Sequence, residues 1–188
     1  MTARIEPAVP PFSEEVQTWL NRTMPGGVAP LVLFTTLAKD ERLFKKIFAG
    51  GLIDRGHLTL HQREIVIDRT TALCRSEYEW GVHVSFFAGR VGLTEEHLRS
   101  LVHGDAEDTC WNEGERLLVR MCDELHRTCS LSDQLWTELR QEHSEQAVLE
   151  LLMLAGFYRT ISYLTNALKL PLEAFGARFP PQNVTCEG

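Results

Sequence analysis

Six times along this chain a Ser, Thr or Asp stands directly before an apolar pattern of helical period: Ser13, Asp40, Thr59, Thr94, Ser132 and Ser144. A side-chain oxygen there can accept a hydrogen bond from a free N–H of the first helical turn, so each marks a helix start. Ser13 leads into Val16, Trp19 and Leu20. Asp40 leads into the stripe Leu43, Phe44, Ile47 and Phe48, which Gly50-Gly51 ends. Thr59-Leu-His-Gln62 fits a capping box for a helix from about Leu60 to Leu73. Its Ile65, Val66 and Ile67 are β-branched and would suit a strand, but the cap and the spacing into Ala72 and Leu73 favour a helix. Leu93 with Leu98 around Thr94, and Leu131 with Trp136 around Ser132, have the spacing of hydrophobic staples. Ser144 opens the longest helix, to about Leu168, with an almost wholly apolar middle from Val148 to Ala155 that is expected to be buried on most sides.

Further helices are predicted from Pro30 to Leu37, from the stretch after Cys74 to about Arg90, and from Trp111 to about Arg127. Residues 104–110 read as a loop. No glycine-rich phosphate loop, βαβ alternation or tandem repeat interrupts this pattern. The expected fold is all-α, a single domain of about seven to nine helices. Residues 1–29 read as a proline-rich extended arm and a short helix, 30–172 as the helical domain, and 173–188 as a C-terminal tail, loose from Phe179 onward.

The length of 188 residues suits one domain, and 44% hydrophobic residues can build its core. A formal charge of −7 with no basic block argues against a nucleic-acid partner. The cysteines, Cys74, Cys110, Cys122, Cys129 and Cys186, are odd in number and include no Cys-x-x-Cys pair. They read as reduced thiols. Residues 1–12 lack the apolar run of a signal peptide, and no polar-free stretch is long enough to span a bilayer. A cytoplasmic protein without membrane or nucleic-acid partners is expected.

Chemistry concentrates between Cys74 and His83. Ser76, Glu79 and His83 lie three and four residues apart and so share one helix face. A carboxylate beside an imidazole fixes its tautomer and raises its basicity. Glu64, one helix earlier, can join them if the two helices lie side by side. Two carboxylates, an imidazole, a hydroxyl and Tyr78 would then form an acid–base set. The plainer readings are a solvated Glu79–His83 surface pair and Tyr78 and Trp80 as packing residues. Glu64, Glu79, His83 and His61 could ligate a metal, but the Glu-x-x-His pairs of di-iron bundles are absent and no metal is expected. His57 and His61 read as solvent-facing, and Asp123-Glu-Leu-His126 as a polar helix face.

The run Glu77-Tyr78-Glu79-Trp80-Gly81-Val82-His83, followed by an apolar turn and Gly92-Leu93-Thr94-Glu95-Glu96, resembles the carboxymuconolactone decarboxylase family, whose other branch is the alkylhydroperoxidase AhpD. The likeness extends to Glu64 and more loosely over residues 30 to 172, including Asp123–His126, Phe157-Tyr158 and Asn166-Ala-Leu. The thiol-using branch carries Glu, eleven residues, then Cys-x-x-Cys-x-x-x-His. Here Glu64 and His83 hold the outer positions, and Ser76 and Glu79 stand in place of the two cysteines. Peroxide reduction needs a thiolate, so the branch without the cysteine pair fits better.

That resemblance implies a helical homo-oligomer that removes CO₂ from, or moves a proton on, a small unsaturated carboxylic acid or lactone without a cofactor. Glu64, His83 and Glu79 would be catalytic. Ser76, Tyr78 and Trp80 would position substrate, with Arg69 or Arg75 receiving its carboxylate. The alternatives are a peroxidase using Cys74, and a non-catalytic oligomer in which Glu64, Glu79 and His83 satisfy one another with no cavity beside them.

Overall fold

Thr59 Oγ1 accepts from the Gln62 N–H (3.2 Å) and the Gln62 side chain accepts from the Thr59 N–H (2.9 Å). In the computed structural model, which describes residues 3–24, 26–52 and 54–182, this capping box opens the helix at the centre of the molecule. The helices are α1 (Glu14–Thr23), α2 (Val32–Leu37), α3 (Glu41–Gly50), α4 (Leu60–Leu73), α5, α6 (Glu95–His103), α7 (Glu113–Thr128), α8 (Asp133–Glu142) and α9 (Glu145–Ala167). α5 is one rod that runs Glu77–His83, through a π-helical turn Val84–Ala88, to Gly89–Val91. Among the described residues there are nine helices and no strand, the all-α architecture expected.

All six predicted caps make their bond to the first turn, each contributing about 1 kcal/mol. Two starts differ from the sequence reading. Asn112 caps α7, reciprocated by Glu115, so that helix begins after Trp111. Leu31 is the N-cap of α2, which therefore begins beyond Pro30.

α4 packs against α5, α6, α7 and α9, and every residue from Glu64 to Ala72 is buried. Its β-branched run is thus the packing surface of a helix enclosed on all sides. α4 ends in a Schellman motif, with Arg75 N–H on the Ala72 carbonyl and Ser76 N–H on the Thr71 carbonyl. Arg75 takes the left-handed position (φ 54°) usually given to glycine and reverses the chain, so α5 lies beside α4.

The buried apolar residues form two clusters. One surrounds α4, with Leu118, Met121, Leu135, Leu139, Leu151 and Leu154 among its members. The other joins α1, α2 and α3 through Val16, Leu20, Leu33, Phe44 and Phe48 to Val82 and Ile161. α1 is therefore part of the packed body. Before it, the arm is tied down by Arg4 N–H on the Leu168 carbonyl and Ala8 N–H on the Thr35 carbonyl.

The C-terminal segment is held rather than loose. Ala177 N–H bonds the Gly81 carbonyl (3.0 Å) and Phe179 N–H bonds Glu77 (3.0 Å). The Phe179 ring meets Trp80 edge-on, while the carbonyls of Pro180 and Pro181 accept from His103 and Arg99. These residues strap the back of α5. Residues 183–188 lie outside the described residues.

α9 also departs from expectation. Val148, Leu151, Leu154 and Ala155 are buried, but Leu149, Met153 and Tyr163 are 59–63% exposed. Their spacing sets them on one outward face. By length and composition α9 could cross a bilayer, yet half of its apolar window is buried inside the fold.

Candidate active site

α4 and α5, reversed by the turn at Arg75, bring Glu64 against His83. The imidazole Nδ1–H donates to Glu64 Oε2 at 2.9 Å, and Glu79 Oε1 lies 3.6 Å from Nε2. Both carboxylates and the ring are buried. The Tyr158 ring from α9 meets His83 edge-on, centroids 4.9 Å apart, and Phe87 packs at 5.5 Å. Burial by itself would pull the His83 pKa down. The electrostatics of Tyr158 and Glu64 and the bonds to Glu64 and Glu79 outweigh it and hold the pKa well above the usual histidine range. These surroundings favour the doubly protonated imidazole.

Asp68, one turn beyond Glu64 on α4, completes the cluster. It is fully enclosed, and neither of its carboxyl oxygens has a protein partner among the described residues. Burial, with the charge of Glu64 added, pushes its pKa well above the ordinary carboxylate range. These surroundings favour its neutral acid form beside the Glu64–His83 pair. Glu79 Oε2 is likewise buried without a protein partner. The sequence reading missed Asp68 and Tyr158. The i, i+4 spacing of Glu64 and Asp68 was the available signal for the first.

His83 and Glu79 form part of the wall of a cavity of about 690 Å³, well within the range of small-molecule sites. Trp19, Phe34, Phe48, Phe86, Phe87 and Phe157 give it much of its aromatic lining. Glu79, His83, Tyr158 and Ile161 are its buried floor, whereas Arg22, Asp54 and Arg90 line it while remaining exposed, and so mark its mouth. The π-helical turn occupies the stretch of α5 that supplies Phe86 and Phe87, and such turns recur at functional sites.

The residues expected to bind substrate have other places. Ser76 is buried, its hydroxyl 2.8 Å from that of Thr165. Tyr78 donates to Glu173 and accepts from the Leu33 N–H. Trp80 is buried on the strap side. Arg69 makes a two-pronged pair with Asp123 (2.7 and 3.0 Å) and donates to the carbonyls of Ser100, Leu101 and Gly104. Its guanidinium thus caps the C-terminus of α6. Arg75 is exposed at the α4–α5 turn. None of the five lines the cavity, where the available cations are Arg22 and Arg90. His61 is half-buried, and both ring nitrogens are engaged: Nδ1–H donates to the Val91 carbonyl and Nε2 pairs with Glu115. Cys74 does not line the cavity, and burial pushes its thiol pKa up.

No family model matches the sequence, and no curated protein matches it. Solved structures do. An uncharacterized peroxidase-related protein from Silicibacter sp. TM1040 superposes with a TM-score of 0.78 at 12% identity, over 92% of each chain. An uncharacterized peroxidase-related protein with an alkylhydroperoxidase AhpD core, from Ralstonia eutropha JMP134, gives 0.78 at 13% identity, over 90% of this chain and 93% of the other. The debrominase Bmp8 gives 0.71 at 16% identity, over 91% and 92%. A cysteine-to-alanine variant of that debrominase matches in complex with 2,3,4-tribromopyrrole. The chain has the AhpD-like fold.

Proposed function

We propose that the protein is a cofactor-independent enzyme that moves a proton to or from carbon in an unsaturated carboxylic acid or lactone, with decarboxylation as one form of that chemistry. The observation that carries this reading is the 2.9 Å bond between His83 Nδ1 and Glu64, which favours the charged imidazole, in the wall of a large, mainly apolar cavity. Its Nε2–H is the acid. It can deliver a proton to a carbanion-like centre, whether that centre arises by loss of CO₂ or by abstraction of a neighbouring proton. Glu79, 3.6 Å from Nε2 and with one oxygen unengaged, is the matching base. Glu64 fixes the ring and balances its charge. Asp68 holds a further proton behind them. Exclusion of water by the aromatic walls would strengthen each of these interactions.

The debrominase neighbour, with its bound brominated pyrrole, supports a ring-bearing substrate. The thiol alternative draws little from this site, because Ser76 and Glu79 replace the cysteine pair and Cys74 lies elsewhere. The non-catalytic alternative required no cavity at His83. The four free thiols among the described residues support a cytoplasmic setting. The outward apolar face of α9, with Leu149, Met153 and Tyr163, supports self-association. Sedimentation of the wild type against a Leu149→Lys/Met153→Lys variant tests this, and a wild type that sediments as a monomer at high concentration removes it.

Catalysis is tested by solvent deuterium incorporation. Candidate lactones and unsaturated acids are incubated in D₂O and exchange at carbon is followed by NMR, together with CO₂ release. Exchange in the wild type should fall about 100-fold or more in His83→Asn and Glu64→Gln. Equal exchange in all three proteins would refute the assignment.

A further inference from the structure

The electrostatics of the cavity say which end of a substrate goes where. Its floor holds Glu79, with Glu64 and Asp68 directly behind, so three carboxyl groups surround a single imidazole. Glu79 and Glu64 together outweigh the one charged imidazole, so an anionic group would meet net negative charge there. Its mouth holds Arg22 and Arg90. Each guanidinium lies 5.7 Å from the centroid of an aromatic ring of its own helix, Trp19 and Phe87 respectively. Neither is bonded to a carboxylate among the described residues. Among the described residues Asp54 is the only acid on the rim, so the described rim carries a net positive charge on a chain whose total is −7. Between floor and mouth the lining is aromatic and aliphatic.

His83 and Arg90 lie on one rod, seven residues apart, which is roughly 10 Å along a helix axis. We infer that the substrate is an extended apolar molecule bearing one anionic group, held by Arg22 and Arg90 at the mouth, with its reacting centre roughly 10 Å away at His83. This inference rests on the proton-transfer reading for the identity of the reacting end. It departs from the short lactone acid that the sequence resemblance implies, because such a molecule would fill only a fraction of the 690 Å³ and could not reach floor and mouth together. The anion serves as an anchor and is distinct from the reacting centre. Its pairing energy is then available to seat the apolar body against the aromatic walls.

The test is equilibrium binding to the full chain by calorimetry. The probes are biphenyl-4-carboxylate, its neutral isostere biphenyl-4-methanol, its cationic isostere biphenyl-4-methylammonium, and the short lactone acid paraconate. The carboxylate should bind about 5- to 10-fold more tightly than the alcohol and the ammonium, an advantage that shrinks in 0.5 M salt. Paraconate should bind more weakly than all three. In an Arg22→Gln/Arg90→Gln variant, both changes being at exposed positions, the carboxylate should lose its advantage while the alcohol stays within about 2-fold of wild type. A carboxylate that binds no better than the alcohol overturns the inference. So does a preference that survives the double substitution, or paraconate as the tightest of the four. His83→Asn should keep the carboxylate preference. Failure of the proton-transfer reading would appear separately, as deuterium exchange that His83→Asn leaves intact.

Discussion

His83 and Glu64, nineteen positions apart, are joined by a 2.9 Å bond that neither helix could make alone. It requires the αL turn at Arg75 to lay α5 beside α4, and it turns a buried imidazole from a group that would shed its proton into one that keeps it. In Glu64→Gln the opposing carboxylate is gone and burial prevails, so the His83 pKa should fall. Histidine ring signals followed by NMR from pH 5 to 9 check this. In the wild type one histidine should stay charged after the exposed ones have titrated, and in Glu64→Gln it should lose its charge at a lower pH than in the wild type. A His83 that titrates identically in both proteins would mean that Glu64 does not control it.

The same cluster reverses the usual relation between pH and stability. His83 and Asp68 both have folded-state pKa values above their unfolded ones, so the native state binds more protons than the unfolded chain. For His83, the stabilisation is complete below the unfolded value and is lost as pH rises towards the folded one. For Asp68, burial adds no penalty while the group is protonated in both states. The penalty grows as the unfolded chain ionises and the native one does not. Each group should therefore remove about 1.4 kcal/mol per pH unit across its own window. Denaturant unfolding from pH 5 to 9 should show stability falling with pH, and Asp68→Asn should flatten that slope and be more stable than wild type at pH 8. A stability that rises over this range would contradict both pKa directions.

Gly81 is required by contact, not by backbone conformation. A Cβ there would stand 2.3 Å from the Ala177 carbonyl oxygen, which belongs to the strap behind α5. Gly81→Ala should cost about 1–3 kcal/mol. Gly89, on the same rod with open space around it, is the control. Gly89→Ala should be neutral or stabilise by up to about 1 kcal/mol. Thermal melts of the two variants decide the matter, and equal melting temperatures would deny the strap its close approach.

Arg69 separates a structural cation from a substrate-binding one. Removing it strands Asp123 and frees three carbonyls at the end of α6. Arg69→Ala should therefore cost about 3 kcal/mol, a fall in Tm of roughly 6–12 °C. The affinity for biphenyl-4-carboxylate should not change. Lost affinity with an unchanged Tm would return Arg69 to the role that the resemblance implies.

The helices were legible because caps are local. Six of them rest on a single side chain and the turn that follows it. The Glu64–Glu79–His83 association was legible because helix periodicity and a single tight turn decide it. The substrate cations were not. Arg69 stands one residue after Asp68 and looks like any basic residue near an acidic cluster, and only the packing of α6 and α7 shows that its guanidinium is already engaged by Asp123 and three carbonyls. Arg22 and Arg90 look like ordinary surface arginines until α1 and α5 are seen to share a cavity. The middle of α9 reads as core because hydropathy does not record which of its faces has a neighbour. The strap was hidden because its bonds are backbone bonds to α5, which leave no pattern in side-chain type.

The cavity lies where the two apolar clusters meet, and this divides its wall by origin. Residues from Trp19 to Asp54 roof it over, whereas Glu64, Glu79, His83 and Tyr158, from α4, α5 and α9, provide its reactive groups. Part of the lining is thus written in a stretch of chain separate from the reactive cluster, while Phe86, Phe87 and Arg90 share a helix with His83. Exchange of the first fifty-odd residues would reshape one side of the cavity, Arg22 included, while the Glu64–His83 pair and Arg90 stay as they are.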